Sequence, residues 1–396
     1  LSSGELDERF RRDGYVVIEG FCAPDQVAAL IDAYEEHGPA PGDVGSYCHF
    51  DFQSADQAYK RATDAAIRAA LAEPLDRWFV GYRPYYGNYV MKWPSPTSWF
   101  GVHQDSCFVD ETTAVSASIW VATTEVDERN GAVWFFPGSH RMRSTVRGSN
   151  QEAYSFQDVG ASIEARCGRI VRLQPGDAIV FDHRVVHWSY ANTSSAPRLA
   201  AVLGVIPDEA TLIHHHATSG GAEVETFAID DEFFIVNDPF GSLLDGLQGY
   251  PSLGRSALVV EPVTEDELDR WLEAHPVDAD VELAAELRAA AAAVASDAVA
   301  RATDHGGQGA PGPAPSIGSH EVAAPGREGA ADPPPDVASS GGPVTVEPVA
   351  GHRGVPPAGP APVALRPADR ARRLARKVAG SLRSIGRNGG ARGPRP

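Results

Sequence analysis

The sequence predicts a mainly β domain with helices at its N-terminal side, followed by a disordered tail. Three observations carry that reading. Between Tyr86 and Ile206 the chain holds eight short runs rich in β-branched and aromatic residues, separated by Gly, Pro, Asn and Asp, a spacing that fits a β-sandwich, barrel or jelly roll. All 33 Phe, Trp and Tyr residues of the 396-residue chain lie at or before Trp271. The last 125 residues hold none, and such a segment cannot bury enough apolar area to offset its ordering entropy.

The elements follow in chain order. Glu5–Asp13 reads as a short amphipathic helix and Tyr15–Ile18 as a strand. Pro24–His37 reads as a helix with Ala28, Leu30, Ile31 and Tyr34 inward, and Tyr59–Phe79 as a second helix interrupted near Pro74. The strand runs are Tyr86–Trp93, His103–Phe108, Val115–Thr124, Ala132–Phe136, Gly168–Leu173, Ala178–Phe181, Val185–Tyr190 and Leu199–Ile206, with Thr211–His216 and Val224–Ala228 as further candidates. Glu265–Ala274 reads as a helix, with Thr264 as N-cap and Glu267 three residues on. Val281–Ala300 is Ala-rich with few large apolar residues and reads as a solvated or weakly docked helix. Thirteen of the 31 prolines lie between Arg301 and Leu365, the composition of a disordered linker.

Charge and cysteine content exclude several functions. Net charge is −19, but residues from Arg366 onward carry +9, which leaves −28 on the rest. An acidic body lacks the basic footprint of a nucleic-acid-binding protein. The four cysteines, Cys22, Cys48, Cys107 and Cys167, are widely spaced, so reduced thiols and a cytoplasmic location are expected. No run approaches 18 apolar residues and no stretch reads as a secretory signal.

The chemistry concentrates in two places. In Val102-His103-Gln104-Asp105, residues i and i+2 of a strand share one face, with Cα atoms roughly 6.5–7 Å apart. His103 and Asp105 then aim an imidazole and a carboxylate at one point, while Gln104 faces away. The second place is the stretch from Pro175 to Arg198. A hairpin turning about Asn192-Thr193 sets His187 opposite Arg198 on one face, with Cβ atoms about 5 Å apart. Two His and one carboxylate with open positions form the facial triad of non-haem Fe(II) oxygenases. An Arg beside them, which binds carboxylate without competing for the metal, implies a small dicarboxylate such as 2-oxoglutarate.

In that order and spacing the motifs resemble the phytanoyl-CoA dioxygenase family of Fe(II)/2-oxoglutarate-dependent oxygenases. The matching stretches are Asp13-Gly-Tyr-Val-Val-Ile18, Lys92-x-Pro94, His103-Gln-Asp105, Trp120, Asn130-Gly131 with Pro137-Gly138-Ser139-His140, Pro175-Gly-Asp177, His187-x-Ser189-x-x-Asn192 and Arg198, across roughly residues 5–235. The resemblance implies a double-stranded β-helix (jelly roll, cupin-like) core over about 85–210, within a catalytic unit of residues 1–276. It implies His103, Asp105 and His187 as iron ligands. It implies Arg198 as anchor for 2-oxoglutarate, with Ser189, Asn88 and Trp120 as further cosubstrate contacts. Retention of Asp105 favours hydroxylation of an aliphatic C–H with O2, releasing succinate and CO2, over halogenation. Beyond this unit lie the Ala-rich helix (277–300), the linker (301–365) and a basic tail (366–396).

Other readings stand beside these. Lys92 and Gln104 are candidate substrate or supporting contacts, or simply a solvated Lys and a neutral Gln. Trp120 is core or a cosubstrate wall. His183 rivals His187 but reads as surface or supporting; Asn130-Gly131 reads as a turn, and His140 as a cap or surface residue. His214, His215 and His216 alternate faces and cannot all converge on a metal. The cysteines read as inert, with oxidation at Cys107, which would face the side of Asp105, as the alternative; Asp230-Asp231-Glu232 reads as an exposed, solvated turn. The basic tail has Leu374, Val378, Leu382 and Ile385 at helical spacing and could touch an anionic membrane surface or a protein partner. The expected substrate is a small molecule or a carrier-bound intermediate. The alternatives are a non-catalytic metal- or ligand-binding jelly roll and an iron oxygenase that does not use 2-oxoglutarate.

Overall fold

The structure, a computed structural model, describes residues 1–39, 48–149, 151, 154–218, 221–239 and 247–304. The basic tail and all but the first four residues of the linker lie outside the described residues.

Two antiparallel sheets face each other. The larger contains β1 (Tyr15–Ile18), β2 (Cys48–Phe50), β3 (Tyr82–Lys92), β5 (Ala117–Ala122), β8 (Ala178–Asp182) and β10 (Arg198–Pro207), in the order β1-β8-β5-β10-β3-β2. The smaller contains β4 (Phe100–His103), β6 (Val133–Phe135), β7 (Arg169–Val171) and β9 (His187–Ser189), in the order β4-β9-β6-β7. Side chains alternate faces along a strand, and the alternation here assigns each face a task. Ile119, Val121, Leu199 and Ala201 point outward from the larger sheet, into a core shared with Val27, Leu30 and Tyr34 of α2 (Pro24–His37) and Ile67, Leu71 and Leu75 of α3 (Gln57–Trp78). Trp120, Ala200, Val202 and Phe181 point inward and meet Val133, Phe135 and Val171 of the smaller sheet. The outer face of that sheet, with Trp134 and Trp188, is covered by Ile163 of α4 (Gly160–Arg166), Leu268 of α6 (Glu265–Ala274) and Ala284 of α7 (Val281–Asp304). α1 (Gly4–Asp13) packs beside β1 and ends on Gly14, whose φ of +82° lets its N–H reach the Phe10 carbonyl. A third sheet, β11 (Ile213–Ala217), β12 (Glu223–Ala228) and β13 (Ser252–Ala257), follows the second layer, with α5 (Glu232–Val236) between its last two strands.

Several expectations change. α3 runs unbroken through Pro74. The ring is buried beside Leu71 and Leu75, so tertiary packing sustains a helix that proline would weaken by about 3 kcal/mol in isolation. The strand expected over His103–Phe108 stops at His103. The hairpin expected from His187 to Arg198 does not form. β9 pairs with β4 and β6, whereas β10 pairs with β3 and β5. The Asn192 turn therefore carries the chain from one sheet to the other. His187 lies opposite His103, and Arg198 opposite Lys92. The first turns of α7 are docked rather than solvated, with Ala284 fully buried and Leu283 and Leu287 partly so. The Thr264 N-cap is present: its Oγ1 accepts from the Glu267 N–H, and Glu267 accepts from the Thr264 N–H. β2, α4, α5 and β13 were not anticipated. Among the described residues no helix is long and apolar enough to cross a membrane.

Candidate active site

A cavity of about 220 Å³ opens between the two sheets. Strand alternation fills its walls. Asn88, Val90 and Lys92 come from β3, Arg198, Val202 and Gly204 from β10, His187 and Ser189 from β9, Val133 from β6, and His103 from the end of β4.

His103, Asp105 and His187 converge at one point on this wall. One ligand atom from each lies within 4.8 Å of the others. His103 Nε2 and His187 Nε2 stand 3.8 Å and 3.7 Å from the same oxygen, Asp105 Oδ1. The opposed register of β4 and β9 brings the two imidazoles to a centroid separation of 4.2 Å. Each ring is fixed from behind: His103 Nδ1 donates to the Gly101 carbonyl at 2.7 Å, and His187 Nδ1 to the Val185 carbonyl at 3.0 Å. A carbonyl can only accept, so both Nδ1 atoms carry a proton and both Nε2 atoms face the cluster. Burial first, and His187 second, pull the His103 pKa down to about 4, which keeps it a neutral imidazole. Burial works to raise the Asp105 carboxyl, but His187, His183, His103 and Arg147 outweigh it and hold it below its ordinary value. Two imidazoles and one carboxylate on one face, with space in front, are a donor set that fits a divalent first-row metal with open positions.

Asp105 is not on a strand, so something else must hold it. Its N–H donates to the His183 carbonyl at 2.9 Å, and Arg147 Nε donates to its own carbonyl at 2.6 Å. Arg147 is buried and forms a two-point ion pair with Glu111, at 2.6 and 3.1 Å. Sequence reasoning missed this pair, because no motif links residues 111 and 147. Its signal is burial alone.

Deeper in the cavity, Arg198 is fully buried. It donates to the Gly131 carbonyl at 2.6 Å and its guanidinium lies 5.0 Å from the Trp120 ring centroid. Burial pulls its pKa down to about 10, which leaves it charged. Its Nε has no partner among the described residues, and neither has the buried Asn88 Oδ1. Gly131 sits at φ +83°, and a Cβ there would stand 2.7 Å from both Lys92 Cδ and the Tyr190 carbonyl, so only glycine permits this approach. Lys92 Nζ donates to Ser189 Oγ at 2.6 Å and to the Tyr190 carbonyl at 2.8 Å. Burial, with help from Arg198, lowers its pKa to about 7.

Other candidates fall elsewhere. Gln104 donates to the Arg184 carbonyl and lines a neighbouring cleft, not the main cavity. His183 is buried, not at the surface, with its ring held by Ser116 Oγ (2.8 Å) and Ser118 Oγ (3.0 Å). Cys107 is buried, its sulfur accepts from the Arg147 N–H, and burial pushes its pKa up to about 12, so the oxidation-prone reading does not hold. His140 is buried against Gly14, with Nε2 donating to the Arg11 carbonyl at 3.1 Å. Asn130-Gly131 does turn. His214 and His216 both reach Ser149 Oγ, whereas His215 bonds Thr226 on the other face. Asp230 is exposed and Asp231 lies in a turn, as expected, and the half-exposed Asp231 and Glu232 also pair with Arg68 and Arg61 and tie α5 to α3.

The phytanoyl-CoA dioxygenase (PhyH) family model matches residues 10–200. A phytanoyl-CoA dioxygenase of Arabidopsis thaliana is 28% identical over 160 residues, 39% of this chain and 54% of that protein. This chain thus spans about half of that relative's length. A phytanoyl-CoA dioxygenase domain-containing protein 1 of Danio rerio is 28% identical over 264 residues, 52% of this chain and 90% of that protein. Among solved structures, the epimerase SnoN in complex with Fe3+, alpha ketoglutarate and nogalamycin RO is 23% identical, with a TM-score of 0.41, over 66% of this chain and 96% of that one.

Proposed function

Because residues 10–200 belong to the phytanoyl-CoA dioxygenase family, we propose that this chain is an Fe(II)- and 2-oxoglutarate-dependent dioxygenase whose two facing sheets form a double-stranded β-helix. The observation that carries the reading is the convergence of His103, Asp105 and His187 beside a cavity in which the buried Arg198 keeps an unpartnered donor. Bound together, Fe(II) and 2-oxoglutarate supply O2 activation, with succinate and CO2 as co-products and oxidation of an aliphatic C–H as the yield.

The chain's own residues do the rest. His103 and His187 present Nε2 and Asp105 its carboxylate, each already oriented, so little reorganisation is needed to take a metal. Arg198 binds the distal carboxylate of the keto acid, where a buried guanidinium paired to an anion is worth more than in water. Ser189, accepting from Lys92, keeps its own hydroxyl hydrogen for that carboxylate. Trp120 lies under the guanidinium, its ring centroid 5.0 Å away, and supports it by a cation–π contact. Asn88 offers its unpartnered oxygen and its amide to the same region. Lys92 serves as the support of Ser189 and not as a solvated surface group.

The test is product analysis. Purified chain given Fe(II), 2-oxoglutarate and O2 should release succinate, even slowly without substrate, and His187→Ala should lose it. Succinate release that persists in His187→Ala would refute the assignment.

A further inference from the structure

The aromatic part of the cavity lining, here called its mouth, differs in chemistry from the part around Arg198 and Lys92, its floor. Two aromatic groups line it. Phe50 and Phe52 stack at 5.2 Å, and Phe50 meets Phe100, which lies against His103. Opposite, Phe234 contacts Tyr86 and Phe108 at 5.3 and 5.4 Å, and Phe108 lies against His183. A buried cation bridges the two groups: Lys60 Nζ donates to the carbonyls of Phe52, Phe234 and Asn237 at 2.9, 3.0 and 2.6 Å.

No described cation near these walls is available to a ligand. Lys60 has used its three donors. Arg61 is paired with Glu232, Arg68 with Asp64 and Asp231, Arg83 with Asp231, and Arg147 with Glu111. The segments just before Cys48 and just after Pro239 in the sequence, residues 40–47 and 240–246, contain no Lys or Arg. The cations that line the cavity itself, Lys92 and Arg198, are those of the proposed cosubstrate floor. A ligand phosphate or carboxylate at this mouth would be desolvated without a counter-charge among the described residues, the unpartnered Tyr86 hydroxyl offering only a neutral donor.

Resting on the reading above, we infer that the aromatic mouth formed by Phe50, Phe52, Phe100, Tyr86, Phe108 and Phe234 takes an uncharged, ring-bearing apolar substrate, and that phosphate-bearing thioesters and free amino acids are excluded. Ring faces in the walls reward a flat ring in the ligand beyond the area it buries.

Calorimetric titration of the full chain tests this, with 2-naphthol, octanamide, octanoyl-CoA and phenylalanine as probes. It is run on protein loaded anaerobically with Fe(II) and 2-oxoglutarate, and again without either. 2-Naphthol should bind in both states. Phe52→Ala and Phe234→Leu should each weaken it about 5- to 10-fold, with the melting temperature of at least one variant unchanged. Octanoyl-CoA should bind no tighter than octanamide, and phenylalanine should give no heat. Octanoyl-CoA binding tighter than octanamide, with an affinity that falls steeply in salt, overturns the inference, as does failure of 2-naphthol to bind. The visible charge-transfer band of the loaded protein separates the two proposals. If the band is absent while 2-naphthol still binds through Phe234, the cosubstrate assignment fails and this inference stands. If the band forms and 2-naphthol does not bind, the reverse holds.

Discussion

Arg198 and Lys92 face each other across β10 and β3, and each is a buried cation with a different task. Arg198 has the unpartnered donor. Its replacement by Met should raise the 2-oxoglutarate concentration for half-maximal succinate release about 10- to 100-fold, the worth of hydrogen bonds to a charged partner. A variant with unchanged dependence would remove Arg198 from cosubstrate binding. Lys92 has a pH signature. It titrates near 7 when buried, against an ordinary 10.5. Between those values the unfolded chain holds the extra proton, so this group makes stability rise with pH across that window and contributes no slope below it. Lys92→Met should abolish that slope. Melting temperatures from pH 7 to 10 should move in favour of the wild type, and parallel curves would contradict the burial argument.

At the scale of elements, Asp105 depends on a segment that no strand supports. The Arg147–Glu111 pair holds it, and breaking a buried pair from one side typically costs about 3–5 kcal/mol. Glu111→Gln should therefore lower the urea midpoint and weaken Fe(II) binding together. Loss of stability without loss of metal affinity would show that the pair serves packing only. The same segment shows what the sequence could and could not reveal. His103, Asp105, His187 and Arg198 were each legible, because few residue types make such a donor set and their spacing is unusual. Their geometric rationale was not. His103 and Asp105 do not share a strand, and His187 and Arg198 do not share a hairpin. His187 and Arg198 meet because two sheets are stacked, and Asp105 is held beside His103 by the His183 carbonyl and Arg147, long-range facts that local periodicity cannot express. The aromatic mouth was invisible for the same reason: Phe50, Phe100 and Phe234 are far apart in sequence and belong to β2, β4 and α5.

For the whole molecule, the composition break after Trp271 marks where aromatic residues stop, but packing continues past it. Asp280 accepts from the Ile170 N–H at 3.0 Å and its own N–H donates to the Gly168 carbonyl at 2.8 Å. Leu283 and Leu287 lean on the outer core. A chain ended after Pro276 should lose about 3 kcal/mol or more of stability, from roughly 1.5–3 kcal/mol per large apolar side chain buried, whereas one ended after Asp304 should melt with the full chain. Equal melting of all three would show that α7 adds nothing. The proposed activity rests on His103, Asp105 and His187 holding Fe(II) beside a keto acid held by Arg198. Anaerobic titration of the Fe(II)-loaded full chain with 2-oxoglutarate tests it most directly. The account predicts a visible metal-to-ligand charge-transfer band that saturates in the wild type and is absent in His187→Ala; no band in the wild type, or one that survives His187→Ala, would contradict it.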